Sequence, residues 1–269
     1  MIGSQFVWLG DGDRHLDAPF VTNYKEITIG LYGGNTSSGA NKNEDGVLVW
    51  RSEDNSCEFI AILDAHNTAQ SAELVIRSLE SIMPEIHEGL LTCTDYVFES
   101  IRELIVNLFS SDDFINKCKD IVGETSCLIS VRKGQYLWWL NIGDCVLYLL
   151  HEELQKRGQF AMNQRNFYEW IGNQSTFNYG IPCYTTGLRE LRPGKNMILM
   201  TTDGLLEYGE CHYNNPINIY ECLKSQFESS LDKCVQELLT DVHVGKGKDS
   251  ATIISWTIEN NSTACYPSD

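Results

Sequence analysis

Basic residues are scarce in this chain: 20 lysines and arginines stand against 37 aspartates and glutamates, a formal net charge of −17 over 269 residues. A surface of that sign disfavours nucleic acid and anionic membranes as partners, because both are bound through positive charge. Ten cysteines are present but no two are spaced CxxC, which argues against a zinc ribbon or a thioredoxin-like redox pair. A chain of this length needs no disulfides for stability, and Cys57, Cys127 and Cys145 lie inside apolar runs. They are expected as buried free thiols in a reducing compartment. No apolar window reaches the length of a membrane span, and the opening "MIGSQFVWLGDGDRH" lacks the basic and apolar regions of a signal peptide. Internal repeats, low-complexity tracts and linkers are lacking too. The expectation is a cytoplasmic monomer whose residues 1–269 form one domain, long enough to bury a substantial core.

What is present is mostly strand-like. Short runs rich in β-branched and aromatic residues fall at 26–32, 46–50, 57–63, 125–131, 136–142, 145–150, 197–202 and 251–258. "VRKGQY" between two of them reads as a hairpin turn. Two helices follow one another in the first half. The first, 69–87, places Ala72, Val75, Ile76, Leu79, Ile82, Met83 and Ile86 on one face; the second, 95–109, does so with Val97, Phe98, Ile101, Leu104, Ile105 and Leu108. Two shorter helices are expected near 217–228 and 231–243. Strand runs separated by helix pairs, without strict alternation, imply an α+β fold with helices packed on antiparallel sheets. Segment 151–195, rich in Asn, Gln, Tyr and Gly, reads as a long irregular excursion, either a binding or lid element or a tolerated surface insertion.

Carboxylates recur at the ends of these strands. Asp64 closes "FIAIL", Asp203 closes "MILMTT", Asp249 opens "ATIISW", and Glu44 with Asp45 opens "GVLVW". Singly, each is as well explained as an ordinary turn residue. Delivered to one end of the sheets, they would form a cluster of hard oxygen donors suited to Mg²⁺ or Mn²⁺ rather than zinc.

Six blocks in order, "NEDGVLVW", "FIAILDAHNT", "DIVGETSCLISV", "LWWLNIGDCVLYLL", "MILMTTDGLLEY" and "KDSATIISWTI", resemble the signatures of the metal-dependent protein phosphatases (type 2C, or PPM) in their compact bacterial form. The resemblance spans about residues 26–258. It implies a four-layer α+β sandwich, two antiparallel sheets flanked by pairs of helices, and hydrolysis of phosphoserine and phosphothreonine in a protein substrate. It implies two Mg²⁺ or Mn²⁺ ions, with a third in some members, and a bridging water made nucleophilic by them. By position, Asp45 and Asp64 match the acids that bridge the ions, Glu44 binds metal-bound water, and Ala65 stands where a backbone carbonyl binds metal. Asp203 and Asp249 match the ligands of the other ion, Asp120 matches an acid at the third, and His66 matches the histidine that protonates the leaving oxygen. "NIGDC" belongs to another block, in which Asp144 reads as a turn residue.

Three departures stand out. The usual Asp-Gly-His-Gly is Asp64-Ala65-His66-Asn67, so the stretch reads as a metal-site turn with substitutes for its glycines: Ala65 keeps the backbone carbonyl, whose metal binding survives if the local φ is negative, and Asn67 tolerates φ > 0. The phosphate-binding arginine is replaced by Ala40, with Lys42 the nearby cation for substrate phosphate; a lysine does not reproduce a bidentate guanidinium contact. Ser250 follows Asp249 in place of an asparagine. Two other readings use the same fold: a regulatory or binding module of little or no activity, and a phosphatase of small molecules over which 151–195 closes.

Overall fold

The computed structural model describes residues 5–92, 96–208, 212–225 and 230–263. Among the described residues, twelve strands and six α-helices follow in chain order: β1 Gln5–Leu9, β2 Phe20–Tyr24, β3 Ile27–Tyr32, β4 Gly46–Arg51, β5 Cys57–His66, α1 Gln70–Leu91, α2 Val97–Ser110, α3 Asp112–Lys119, β6 Glu124–Lys133, β7 Tyr136–Ile142, β8 Val146–Leu150, α4 Glu152–Gln155, β9 Ile171–Gly172, β10 Thr185–Glu190, β11 Gly194–Thr201, α5 Pro216–Ser225, α6 Leu231–Val244 and β12 Ala251–Asn260. One sheet runs β1-β4-β5-β6-β7-β10, with β9 added against β6; the other runs β2-β3-β12-β11-β8. Every strand pair is antiparallel.

The layers follow from which face of each element is apolar. The central strands are buried on both faces and so carry near-continuous apolar runs; β4 and β8 are buried at every residue. Alternate residues divide between two cores. From β5, Phe59, Ala61 and Leu63 face Val75, Leu79, Ile86 and Ile105 of the helices, while Ile60 and Ile62 face Ile198, Met200 and Trp256 of the opposite sheet. A third core lies between the second sheet and α5 and α6, built on Ile219, Leu223, Val235, Leu238 and Leu239. The order is helix, sheet, sheet, helix, as expected.

The outer layer differs from a pair on one side, because α3 joins α1 and α2. It is short, with two buried residues one turn apart, Phe114 and Cys118, and its start is set by Ser111, whose side chain accepts from the Phe114 N–H. β1, β2 and β10 were also not foreseen. All three are edge strands left partly exposed, so their patterns lack the apolar density that marks the inner strands. Segment 151–195 accordingly holds α4, β9 and β10 as well as irregular chain. Part of the expected helix 217–228 lies outside the described residues. Cys57, Cys127 and Cys145 are buried free thiols, and among the described residues no helix is long and apolar enough to cross a membrane.

The two ends of β5 are chemically opposite. At its start, fully buried Glu58 lies between two buried guanidiniums, Arg51 Nε at 3.0 Å and Arg132 Nη2 at 2.5 Å. Its far end runs into the acidic stretch that opens the site. Glu58→Gln would leave two buried cations short of their counter-charge and is expected to cost about 3–5 kcal/mol. Urea unfolding followed by tryptophan fluorescence checks this; a loss under 1 kcal/mol would mean water reaches the cluster.

Candidate active site

Antiparallel pairing decides where the strand-end acids go. The start of β4 lies beside the end of β5 (Gly46 opposite Leu63), the start of β6 beside the same end (Glu124 opposite His66), and the β7–β8 turn beside both. In the other sheet the end of β11 meets the start of β12, Thr201 opposite Ile253. All these termini lie at one end of the sandwich, so segments more than 200 residues apart deliver their carboxylates to one place.

Asp64, Asp144 and Asp203 converge there, with one oxygen from each lying within 4.8 Å of the others. Two glycines permit it. Gly143, at φ 95°, sets the turn that presents Asp144, and a side chain there would meet Ser126 Cβ at 2.3 Å. Gly204 lies so close to the 250–251 backbone that a Cβ would fall 1.9 Å from the Ser250 carbonyl oxygen. Asp144 does occupy a turn, as expected, but its side chain belongs to the cluster.

Asp45 stands behind this group, fully buried. Its Oδ1 accepts from Ser250 Oγ at 2.7 Å, and its Oδ2 accepts from Thr252 Oγ1 at 2.6 Å and Thr202 Oγ1 at 3.3 Å. The serine that follows Asp249 therefore has a definite task, a hydrogen bond to a buried carboxylate. Burial pushes Asp45 up to about 7, against the hydroxyl bonds and with the help of Asp249 and Asp203. Asp203 rises to about 6 through burial and the charges of Asp144, Asp249 and Glu207. Asp64 is raised well above the usual carboxylate range by burial and by Asp203, Asp45 and Asp249.

Two recesses open beside the cluster, and His66 borders both. The larger, about 400 Å³, is lined by Ala40, Lys42, Glu44, Ala65, Asn67, Lys248, Asp249 and Ser250. The smaller, about 220 Å³, is lined by Asp144, Asn166, Phe167, Tyr168 and Trp170. The half-exposed His66 side chain has Nδ1 3.6 Å from Asp64 Oδ1. Burial opposes its protonation, but a hydrogen bond to the Ala65 carbonyl and the charges of Asp249, Asp203 and Asp144 outweigh it, so its pKa is raised.

The backbone of the substituted turn takes the conformation the sequence suggests. Asn67 adopts φ 73°, and Ala65, inside β5, stays out of the left-handed region. Lys42 Nζ is 2.5 Å from Glu44 Oε2 and donates to the Asn67 carbonyl at 3.3 Å, so it lies at the rim of the larger recess. Asp120 is not brought in: it caps α3, exposed, and lines neither recess. The unforeseen helix explains why, because it ends on that residue. Arg165, Glu207 and the aromatic wall Phe167, Tyr168 and Trp170 do not stand at the ends of the strands read from the sequence. Only a long polar segment rich in aromatics hinted at Arg165 and the wall, while Glu207 lies in the block that carries Asp203.

The donor set fits a divalent cation. It is oxygen-only, and three of its oxygens, Asp64 Oδ2, Asp203 Oδ1 and Glu44 Oε1, are buried without a hydrogen-bond partner. A buried carboxylate oxygen without a donor is costly unless a cation faces it. Asp64, Asp144 and Asp203 would hold one such ion, with Glu44 and Asp249 at the larger recess.

No family model and no curated protein matches the chain. Solved structures do. A bacterial serine phosphatase superposes with a TM-score of 0.65 at 16% identity, covering 89% of this chain and 100% of its own. Serine/threonine phosphatase Stp1 from Staphylococcus aureus gives 0.64 at 14% identity, covering 89% and 97%. The serine/threonine phosphatase PstP/Ppp of Mycobacterium tuberculosis gives 0.61 at 16% identity, covering 89% and 100%. Identities this low speak for architecture alone, and on that the likeness over nearly nine-tenths of the chain is decisive: this protein has the type 2C fold of the bacterial serine/threonine phosphatases.

Proposed function

We propose that this protein is a Mg²⁺- or Mn²⁺-dependent phosphatase that hydrolyses phosphoserine and phosphothreonine in proteins. The observation that carries the reading is the convergence of Asp64, Asp144 and Asp203, with orphaned buried oxygens, beside His66. The solved structures that share the fold are named as phosphatases, which supports the same reaction class.

A divalent cation held there by Asp64, Asp144 and Asp203 would supply an acidified water as nucleophile and positive charge for the phosphoryl oxygens. The chain's own residues supply the rest. Asp45, held by three hydroxyls, fixes the 202 and 250–252 segments that flank Asp203 and Asp249. His66, its pKa raised and half open to solvent, holds a proton that it gives to the departing seryl or threonyl oxygen. Lys42, at the rim, meets the substrate phosphate once it leaves Glu44. Its present pairing and Ala40, in place of an arginine, favour weak phosphate binding. The same pairing supports the second reading, a cation-loaded regulatory module that turns over slowly or not at all.

Hydrolysis of a phosphothreonine peptide in Mn²⁺, Mg²⁺ or EDTA tests the function. Turnover is expected with either metal, and Asp203→Asn is expected to lower it by about 10³-fold, the equivalent of several kcal/mol of lost transition-state stabilisation. Metal binding without turnover would select the regulatory module instead. His66→Gln should cost ~10²–10⁴ in kcat on the peptide and far less on an aryl phosphate, whose leaving group needs no proton. Because the acid form is the active one, the wild-type kcat falls as pH rises through the His66 pKa, and the variant should lose that alkaline limb. Equal losses on both substrates would remove His66 from the acid role.

Stability of the metal-free protein offers a test without turnover. Asp45 and Asp203 rise from an ordinary 3.8 to about 7 and about 6, so between roughly pH 4 and 7 the folded state binds more protons than the unfolded one. Their contribution is therefore lost as pH rises through that window. Asp64→Asn removes one of the repelling charges and should raise the metal-free Tm at pH 7.5, by about 2–4 °C for each kcal/mol relieved. The gain should shrink towards pH 4 and reverse in Mn²⁺. A variant less stable than wild type without metal would show that these acids are not in conflict.

A further inference from the structure

The cluster already contains a cation. Arg165 Nη2 lies 3.3 Å from Asp144 Oδ2, 3.4 Å from Asp203 Oδ2 and 2.5 Å from Glu207 Oε1. Two of those carboxylates belong to the three that converge on the candidate metal position. The backbone beneath this residue is firmly placed. Met162 N–H donates to the Leu147 carbonyl at 2.8 Å, Asn163 bonds both the Leu147 N–H and the Cys145 carbonyl at 2.8 Å, and Asn166 N–H donates to the Gly143 carbonyl at 2.9 Å. Residues 162–166 are thereby fastened to the very turn that carries Asp144.

The guanidinium is nonetheless poorly matched to the aspartates. Charge-assisted N–H···O bonds run near 2.7–2.9 Å, and only the Glu207 contact is that short or shorter. One nitrogen is shared among three acids, and Nε is buried without an acceptor. Arg132, at the other end of the sandwich, shows what a closed site looks like: Nε bonds Glu58, Nη1 the Gly134 carbonyl, and Nη2 both Glu58 and the Asn55 carbonyl. Arg165 has a second place to go. Its guanidinium carbon already lies 4.9 Å from the centre of the Phe167 ring, and Glu207, with half its side chain exposed, is its shortest partner.

We propose that Arg165 is a built-in counter-cation that competes with the divalent ion for Asp144 and Asp203. It neutralises part of the cluster when no metal is present. Arg165 touches the Oδ2 of each aspartate, while Asp203 Oδ1 is the orphaned oxygen, so a divalent ion and the guanidinium would share the two carboxylates and not one oxygen. Two positive charges on one pair of buried carboxylates repel each other, which favours the guanidinium on Glu207 and Phe167, so part of the binding energy of the metal is spent displacing the arginine. The consequence is a site of lowered affinity, loaded according to metal concentration, in which metal binding and the position of the smaller recess's aromatic wall are coupled. This rests on the reading of the cluster as a divalent-cation site.

Mn²⁺ titration calorimetry on the full chain tests it, with Arg165→Gln, Arg165→Met and Arg165→Lys beside the wild type. The two neutral variants are expected to bind Mn²⁺ about tenfold more tightly, and the lysine variant to stay near wild type. The metal-free Tm of the neutral variants should fall while their Tm gain on adding Mn²⁺ grows. Glu207→Gln keeps Arg165 but removes its refuge, and should weaken Mn²⁺ binding; in combination with Arg165→Gln it should have no effect. That cycle does not depend on the single Arg165 variants alone. Neutral variants that bind Mn²⁺ as the wild type does, or less tightly, overturn the competition while leaving the metal site standing. No Mn²⁺ binding by any of the proteins overturns the site and the competition together.

Discussion

Carboxylates held out of water beside one another are the constraint on which this structure turns. Asp45 and Asp64 are buried and Asp203 nearly so; Asp203 raises the pKa of both Asp45 and Asp64, and Asp45 that of Asp64. Like charges in a medium of low polarity repel strongly, and folding alone offers them little relief. The molecule answers in three ways. Hydroxyls from Thr202, Ser250 and Thr252 surround Asp45, a guanidinium leans on Asp144 and Asp203, and the remaining oxygens of Asp64, Asp203 and Glu44 are left without a partner. That last group is an oxygen-only donor set of the kind that suits a hard divalent cation.

The opposite end of the first sheet solves the same electrostatic problem without a ligand. Glu58 is as buried as Asp45, but two arginines enclose it, and the remaining donors of Arg132 reach the carbonyls of Gly134 and Asn55. One end of β5 is closed by charge pairing and the other is left open to chemistry. Buried ion pairs add little net stability compared with an apolar core, so their value here lies in what each end can bind or exclude.

In the turn after β5, the residues that stand where the family pattern has glycines keep an unstrained backbone. Ala65 sits in extended backbone, where a methyl group costs nothing special, and Asn67 takes the left-handed conformation that a glycine would otherwise supply. Ala40 differs in kind. It removes a side chain that no backbone adjustment replaces, and Lys42 nearby is held by Glu44.

Much of this was legible in the residues themselves. The inner strands and the two long helices follow from apolar periodicity, because buried faces must be continuous, and the acids at strand ends follow from the chemistry of turns. Ordered blocks made the type 2C fold readable, since each pairs a strand with the loop that leaves it. Edge strands and α3 were not legible, for they bury too little to impose a pattern. Nor was the membership of the cluster. Asp120 and Asp144 look alike in the sequence, each an acid beside a glycine-bearing turn, yet α3 ends on one and exposes it while the β7–β8 turn carries the other inward. Arg165 was hidden most deeply, in a segment without periodicity. The sequence by itself determined the buried faces of the inner strands and of the two long helices, since those depend on local pattern. Which of the distant charges meet was decided only by the antiparallel register and by the docking of residues 160–166 on β8, because the Coulomb energy of a group depends on neighbours that lie far away along the chain.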